Sequence, residues 1–98
     1  MIIAIDYDKT YTAAPELFDE MIKMFQASGH TVICVTSRPE VMGQVVLDSI
    51  GKLVTVLFAS GEWKQTFAKK LGFNVDIWVD DMPETISKQV LINMGWPE

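Results

Sequence analysis

The sequence predicts a small α/β protein built on a parallel sheet, and two patterns support this. Short apolar runs closed by polar residues recur along the 98-residue chain, as in Met1-Ile2-Ile3-Ala4-Ile5 before Asp6. Such runs are typical of strands buried on both faces. Segments with apolar residues at helical spacing lie between them. Alternation of strands and helices with short links favours parallel strands covered by helices.

The first predicted elements are a strand over about 2–7, a loop through Thr12 and a helix over about 15–27. Pro15 suits a first helical turn, where its missing N–H would have no intrahelical partner. The helix carries a broad apolar stripe, and Gly29 follows its end, as glycine often does.

The remaining elements continue the alternation. Thr36 closes the second strand, Pro39 opens the next helix, and Gly72 ends the helix after that. The predicted strands cover about 31–35, 53–58 and 75–79, and the predicted helices cover about 39–50, 62–71 and 83–94 with Gly95 after the last one. The expected architecture is a Rossmann-like three-layer sandwich over residues 1–98, a single domain with about four parallel strands in the order 4-1-2-3.

Composition limits the classes of function. The chain is 49% hydrophobic and 21% charged, so it can form a core. A net charge of −5 and a pI of about 4.7 argue against general nucleic-acid binding. No apolar run approaches the roughly 18 residues of a membrane span, and no signal peptide is expected. The single cysteine, Cys34, lies in an apolar run and fits a buried residue of a cytoplasmic protein.

Four carboxylates follow apolar runs directly. Asp6 and Asp8 come after the first predicted strand, and Asp80 and Asp81 follow the fourth. Ligands of open α/β sheets bind at the carboxyl ends of the strands, so these acids are expected to converge at one edge. Several negative charges persist together around a cation, and Mg²⁺ prefers oxygen ligands. The pattern predicts a magnesium-dependent phosphoryl-transfer site.

Four motifs in order resemble those of the haloacid dehalogenase-like hydrolase superfamily, over nearly the whole chain. They are Asp-x-Asp-x-Thr after a strand, a strand ending in Thr, a Lys near a helix start, and a strand ending in paired acids. Here they read Asp6-Tyr7-Asp8-Lys9-Thr10, Val32-Ile33-Cys34-Val35-Thr36, Lys64 and Asp80-Asp81.

The resemblance implies a role for each matching residue. Asp6 would be the nucleophile that forms an aspartyl-phosphate, and Asp8 the general acid and base. Thr36 and Lys64 would stabilise the transferring phosphoryl group and are counted as catalytic. The magnesium ligands would be Asp6, the Asp8 carbonyl oxygen, Asp80 and, through water, Asp81. Candidate substrate contacts are Thr10, Ser37, Arg38 and Lys9.

Each motif also has an ordinary structural interpretation. The paired Asp residues could cap loops or helices, because Asp accepts backbone hydrogen bonds well. Thr36-Ser37 before Pro39 is an ordinary helix entry, Lys64 alone could be an exposed helix lysine, and Arg38 could face the site or solvent. Lys69 and Lys70 are alternatives to Lys64 that lie further along the helix.

Three departures from the family pattern are present. Lys9 stands where many members have Gly. Neither the segment between Thr12 and Thr31 nor that between Thr36 and Asp80 leaves room for an inserted cap domain, and the sheet is small. A capless site favours a large or macromolecular phosphorylated substrate, or closure by a homo-oligomer.

The predicted function is therefore a magnesium-dependent phosphatase. One alternative is a non-catalytic phosphate- or metal-binding domain on the same scaffold. A second is a receiver-like signalling domain, which the order of the acidic motifs along the chain disfavours.

Overall fold

The computed structural model of the chain describes residues 1–93 and 95, and its centre is a four-stranded parallel sheet. The strand order is β3-β2-β1-β4, so β1 and β2 are interior. Read from the β4 edge, the same order is 4-1-2-3, and each strand has the neighbours expected from the sequence. The strands are β1 Ile2–Ile5, β2 Thr31–Thr36, β3 Thr55–Phe58 and β4 Ile77–Val79.

Helices connect the strands, and short 3₁₀ turns occupy several of the links. The helices are α1 Pro15–Ala27, α2 Gln44–Leu47, α3 Lys64–Lys70 and α4 Lys88–Asn93. The 3₁₀ turns are Tyr11–Ala13, Glu40–Met42, Ile50–Lys52 and Pro83–Thr85. Within the described residues, no helix is long and apolar enough to cross a membrane.

Alternating side chains of the strands build an apolar cluster on each face of the sheet. On one face, Ile3 and Ile5 of β1 pack with Ile22 of α1 and Val46 of α2. On the other, Ala4 packs in a second cluster, whose other buried members are Ile33, Val35, Leu57 and Ala68 of α3. The period-two alternation of strand side chains explains the division. The arrangement is compatible with a Rossmann-like fold.

The single helix predicted over 39–50 is wrong. The chain instead forms the 3₁₀ turn Glu40–Met42, the one-turn helix α2, and a further 3₁₀ turn. Gly43 separates the first two and lies against the Phe58 ring: a Cβ there would meet ring atoms at 2.3 Å. Close packing against β3 therefore requires glycine in this segment, and glycine weakens a helix interior.

The last predicted helix, 83–94, is also divided. Pro83–Thr85 forms a 3₁₀ turn, and α4 begins only at Lys88. The carbonyl of Ile86 accepts the backbone N–H of Gln65 at 2.9 Å, in the first turn of α3. That N–H has no partner within its own helix, so the contact satisfies it and holds the segment against α3. The predicted end at Met94 lies outside the described residues.

Candidate functional site

A cleft of about 150 Å³ opens at the carboxyl ends of the strands. β1 ends just before Asp6, β4 ends just before Asp80, and α3 begins at Lys64. The backbone N–H of Asp6 donates to the Val79 carbonyl at 2.9 Å, which brings the two strand ends together. The residues that line the cleft are Asp6, Asp8, Lys9, Ser37, Lys64, Asp80, Asp81, Met82 and Thr85.

The Lys64 ammonium lies between two carboxylates at the base of the cleft. Its Nζ donates to Asp6 Oδ1 at 2.9 Å and to Asp80 Oδ2 at 2.5 Å. All three side chains are at least nine-tenths buried. The second oxygen of Asp80 accepts the Met82 backbone N–H at 2.9 Å. Lys64, rather than Lys69 or Lys70, is therefore the lysine at the cleft: Lys69 is exposed and Lys70 pairs with Glu62.

Thr10 joins two of the acids from the other side. Its Oγ1 lies 3.1 Å from Asp6 Oδ2 and 3.1 Å from Asp81 Oδ1, and accepts the Asp81 backbone N–H at 3.1 Å. A hydroxyl carries one hydrogen, so Thr10 donates to only one carboxylate at a time. When it donates to Asp81, Asp6 Oδ2 is released from this contact.

Three of the four predicted metal-binding acids form a cluster. Carboxylate oxygens of Asp6, Asp80 and Asp81 all lie within 4.8 Å of one another. Among the described residues the Asp8 carboxylate is outside this cluster, and the ligand predicted at Asp8 is its backbone carbonyl oxygen. With Lys64, the ionised acids leave a surplus of about two negative charges, which matches a divalent cation. An all-oxygen donor set suits a hard ion such as Mg²⁺. The residues present therefore fit a metal.

Burial and hydrogen bonding change the pKa values of Asp6, Asp81 and Lys64. Burial raises the pKa of Asp6 to about 6, although the contact with Lys64 opposes the change. The pKa of Asp81 is below its usual value, because hydrogen bonding with Asp6 and with Thr10 favours its ionised form. For Lys64, burial lowers the pKa, but hydrogen bonds to Asp80 and Asp6 outweigh it and the pKa is raised.

Asp8 is held separately from the cluster by Arg38. The guanidinium donates from Nε to Asp8 Oδ2 and from Nη2 to Oδ1, both at 2.8 Å. This bidentate contact lowers the pKa of Asp8 below its usual range. Arg38 therefore contacts a site residue, and it does not itself line the cleft among the described residues.

Thr36 and Ser37 differ in their access to the cleft. Thr36 is 1% exposed, and its Oγ1 accepts the Arg38 backbone N–H at 3.2 Å. Ser37 is exposed and lines the cleft. It also lines an adjoining cleft of about 210 Å³, which shares Thr85 with the first and is otherwise lined by Gly61, Glu62, Trp63 and Glu84.

Lys9 adopts a backbone conformation that favours glycine. Its φ is +63°, in the left-handed region. Its backbone N–H donates to Thr12 Oγ1 at 2.9 Å, which helps to hold the turn. A glycine at this position would adopt the same turn without strain.

Sequence reasoning missed several contributors. Met82 and Thr85 line the cleft, and Tyr7 lies beneath Arg38, with the guanidinium carbon 5.4 Å from the ring centroid. Only their proximity to the motifs in the sequence could have indicated these residues. Tyr7 lies within the Asp-x-Asp motif, and Met82 and Thr85 follow the paired acids closely.

The arrangement defines a class of site: an acidic cleft with a buried lysine at the carboxyl edge of a parallel sheet. No protein-family model, curated protein or solved structure matches this chain. The assignment of a function therefore depends on the motifs and on the geometry described above.

Replacing Lys9 by glycine is expected to stabilise the protein. Lys9→Gly removes the left-handed strain, and we expect the free energy of unfolding to rise by about 1 kcal/mol. The matched control is Lys23→Gly on the exposed face of α1, where we expect a loss of about 1 kcal/mol. Urea unfolding measures both. Destabilisation by Lys9→Gly would show that the left-handed conformation of Lys9 does not cost stability.

Removing the buried ammonium is expected to destabilise the metal-free protein. Lys64→Met leaves Asp6 and Asp80 buried without a cation, at a cost of about 3 kcal/mol in EDTA. The control is Lys69→Met, an exposed lysine of the same helix, with a change below about 0.5 kcal/mol. Equal unfolding free energies for the two variants would contradict a stabilising role for the contacts of Lys64 with Asp6 and Asp80.

Proposed function

We propose that the protein is a magnesium-dependent phosphatase of the haloacid dehalogenase-like type, with a Rossmann-like core and no cap. The observation that carries the proposal is Lys64 buried between Asp6 and Asp80, with Asp81 completing a three-carboxylate cluster. A structural cap or a surface ion pair would not require the burial of an ammonium and two carboxylates at one strand edge.

The proposed reaction begins with attack by Asp6. Its Oδ2, released when Thr10 donates to Asp81, attacks phosphorus while Lys64 holds Oδ1. The ester P–O bond breaks, and the leaving oxygen takes a proton from Asp8. Magnesium, held by the three clustered acids, would attract the phosphate oxygens and offset repulsion between the anions.

The second half of the reaction regenerates the enzyme. Asp8 takes a proton from a water molecule, which attacks the phosphorus of the aspartyl-phosphate. Inorganic phosphate leaves, Asp6 is again a carboxylate, and Asp8 is again protonated. Lys64 stays against Asp6 throughout and balances its changing charge.

The size and exposure of the site limit the kind of substrate that it can bind. The catalytic cleft is small, and the adjoining cleft that shares Ser37 and Thr85 offers room for the leaving group. Asp81 and Ser37 are exposed, which suits a large or macromolecular phosphorylated substrate, or closure by a second copy of the chain. The single buried cysteine, Cys34, fits a reducing cytoplasm.

One observation favours the alternative, a non-catalytic phosphate- or metal-binding domain. Arg38 holds the pKa of Asp8 below its usual range, whereas a general acid needs a proton. Turnover and metal binding together separate the two functions.

Turnover tests the proposed nucleophile. We expect hydrolysis of p-nitrophenyl phosphate with Mg²⁺, none in EDTA, and a loss of roughly a thousandfold or more in Asp6→Asn. The control is Asp48→Asn, an exposed aspartate after α2, with wild-type activity. Wild-type turnover by Asp6→Asn would refute the mechanism, and an inactive wild-type that binds Mg²⁺ would favour the binding domain.

Magnesium binding tests the carboxylate cluster independently of turnover. Isothermal titration calorimetry should detect binding to the wild-type protein, weakened about tenfold or more in Asp81→Asn. Asp81 is exposed, so this variant is expected to fold. Asp48→Asn is again the control. Unchanged affinity in Asp81→Asn would remove Asp81 from the metal site, and absence of binding would remove the metal from the proposal.

A further inference from the structure

We propose that Arg38 is a positioning residue that acts through Asp8, and that it orients the Asp8 carboxylate toward the leaving-group oxygen. This inference rests on the proposed phosphatase function. The sequence left Arg38 open between a contact with substrate and a position in solvent. The structure instead pairs both nitrogens of one guanidinium edge with the two Asp8 oxygens, at 2.8 Å each.

Arg38 is itself fixed from other directions. Its Nη1 donates to the Met42 carbonyl at 2.9 Å, and its guanidinium carbon lies 5.4 Å from the centroid of the Tyr7 ring. Tyr7 is 5% exposed, so the ring is a rigid support. The Arg38 backbone N–H donates to Thr36 Oγ1. A guanidinium held in this way transmits a defined orientation to its partner, because its fork is planar.

The two residues occupy different positions relative to the cleft. Asp8 lines it and keeps a side chain that is 49% exposed, whereas Arg38 does not line it among the described residues. A carboxylate has about four lone-pair positions, and the bidentate contact uses two of them. The other two positions stay free, so the Asp8 carboxylate can face the cleft while Arg38 holds it from the opposite side.

Two possible roles of Arg38, binding the phosphate and positioning the general acid, predict different kinetics. A residue that binds the phosphate would affect every phosphomonoester, chiefly through KM. A residue that positions the general acid matters most when the leaving group needs a proton. Phenyl phosphate needs that proton more than p-nitrophenyl phosphate, whose phenolate is stable without it. The two esters therefore distinguish the roles.

The experiment is a double-mutant cycle on these two esters with Mg²⁺, using Arg38→Met, Asp8→Asn and the double variant. We expect Arg38→Met to lower kcat/KM, which covers the steps up to loss of the leaving group, about 30-fold for phenyl phosphate and less than about threefold for p-nitrophenyl phosphate. In the Asp8→Asn background its further effect on phenyl phosphate should be less than about threefold, because interacting residues are not additive.

Two further variants control the cycle. Arg38→Lys keeps the charge but cannot form the bidentate contact, so we expect partial rescue of kcat/KM for phenyl phosphate. Lys52→Met removes an exposed cation that does not line the cleft, and we expect wild-type ratios for the two esters. Thermal unfolding monitored by circular dichroism establishes that each variant is folded.

The outcomes are distinct. A leaving-group-dependent loss that disappears in Asp8→Asn supports the positioning role. Equal losses on both esters, or the same loss with and without Asp8, would assign Arg38 to substrate binding or to structure and overturn the inference. If the wild-type protein hydrolyses neither ester, the proposed phosphatase function fails, and the positioning role fails with it.

Discussion

The contact of one buried ammonium with two buried carboxylates constrains the rest of the structure. Lys64 joins the end of β1, through Asp6, to the end of β4, through Asp80. Burying three charges costs several kcal/mol for each ion unless each has partners. The additional hydrogen bonds from Thr10 to Asp6 and from Met82 N–H to Asp80 supply them. The start of α3 and the loop after β4 must keep their positions for this arrangement to exist.

The sheet register makes the arrangement possible. β1 is interior, and its residue Ile5 pairs with Val79 of β4, so the acids that follow these strands emerge side by side. Ile5 also pairs with Cys34 of β2, which brings the chain after Thr36, including Arg38, to the other side of Asp6 and Asp8. The site is therefore a consequence of strand neighbours and register, and the loops complete it.

The sequence predicted the parts that depend on strand and helix periodicity. The four strands, the bounds of α1 and the convergence of Asp6, Asp80 and Asp81 follow from apolar runs and from the direction of parallel strands. The break at Gly43 was not predictable, because it depends on contact with the distant Phe58 ring. The direction of the Arg38 side chain was not predictable either, because a residue in a loop gives no periodic signal.

The site combines a buried part with a fixed geometry and an exposed part whose geometry can adjust. Asp6 and Lys64 are buried and fixed by several hydrogen bonds, so their geometry exists before any ligand arrives. Asp81 and Ser37 are exposed, and the Thr10 hydroxyl can donate its hydrogen bond either to Asp6 or to Asp81. Preorganised charge is most effective where negative charge is exchanged, which in the proposed phosphatase reaction would be at Asp6. In the proposed reaction the exposed part would adjust to different leaving groups, whereas the bidentate contact with Arg38 holds the half-buried Asp8 in one direction.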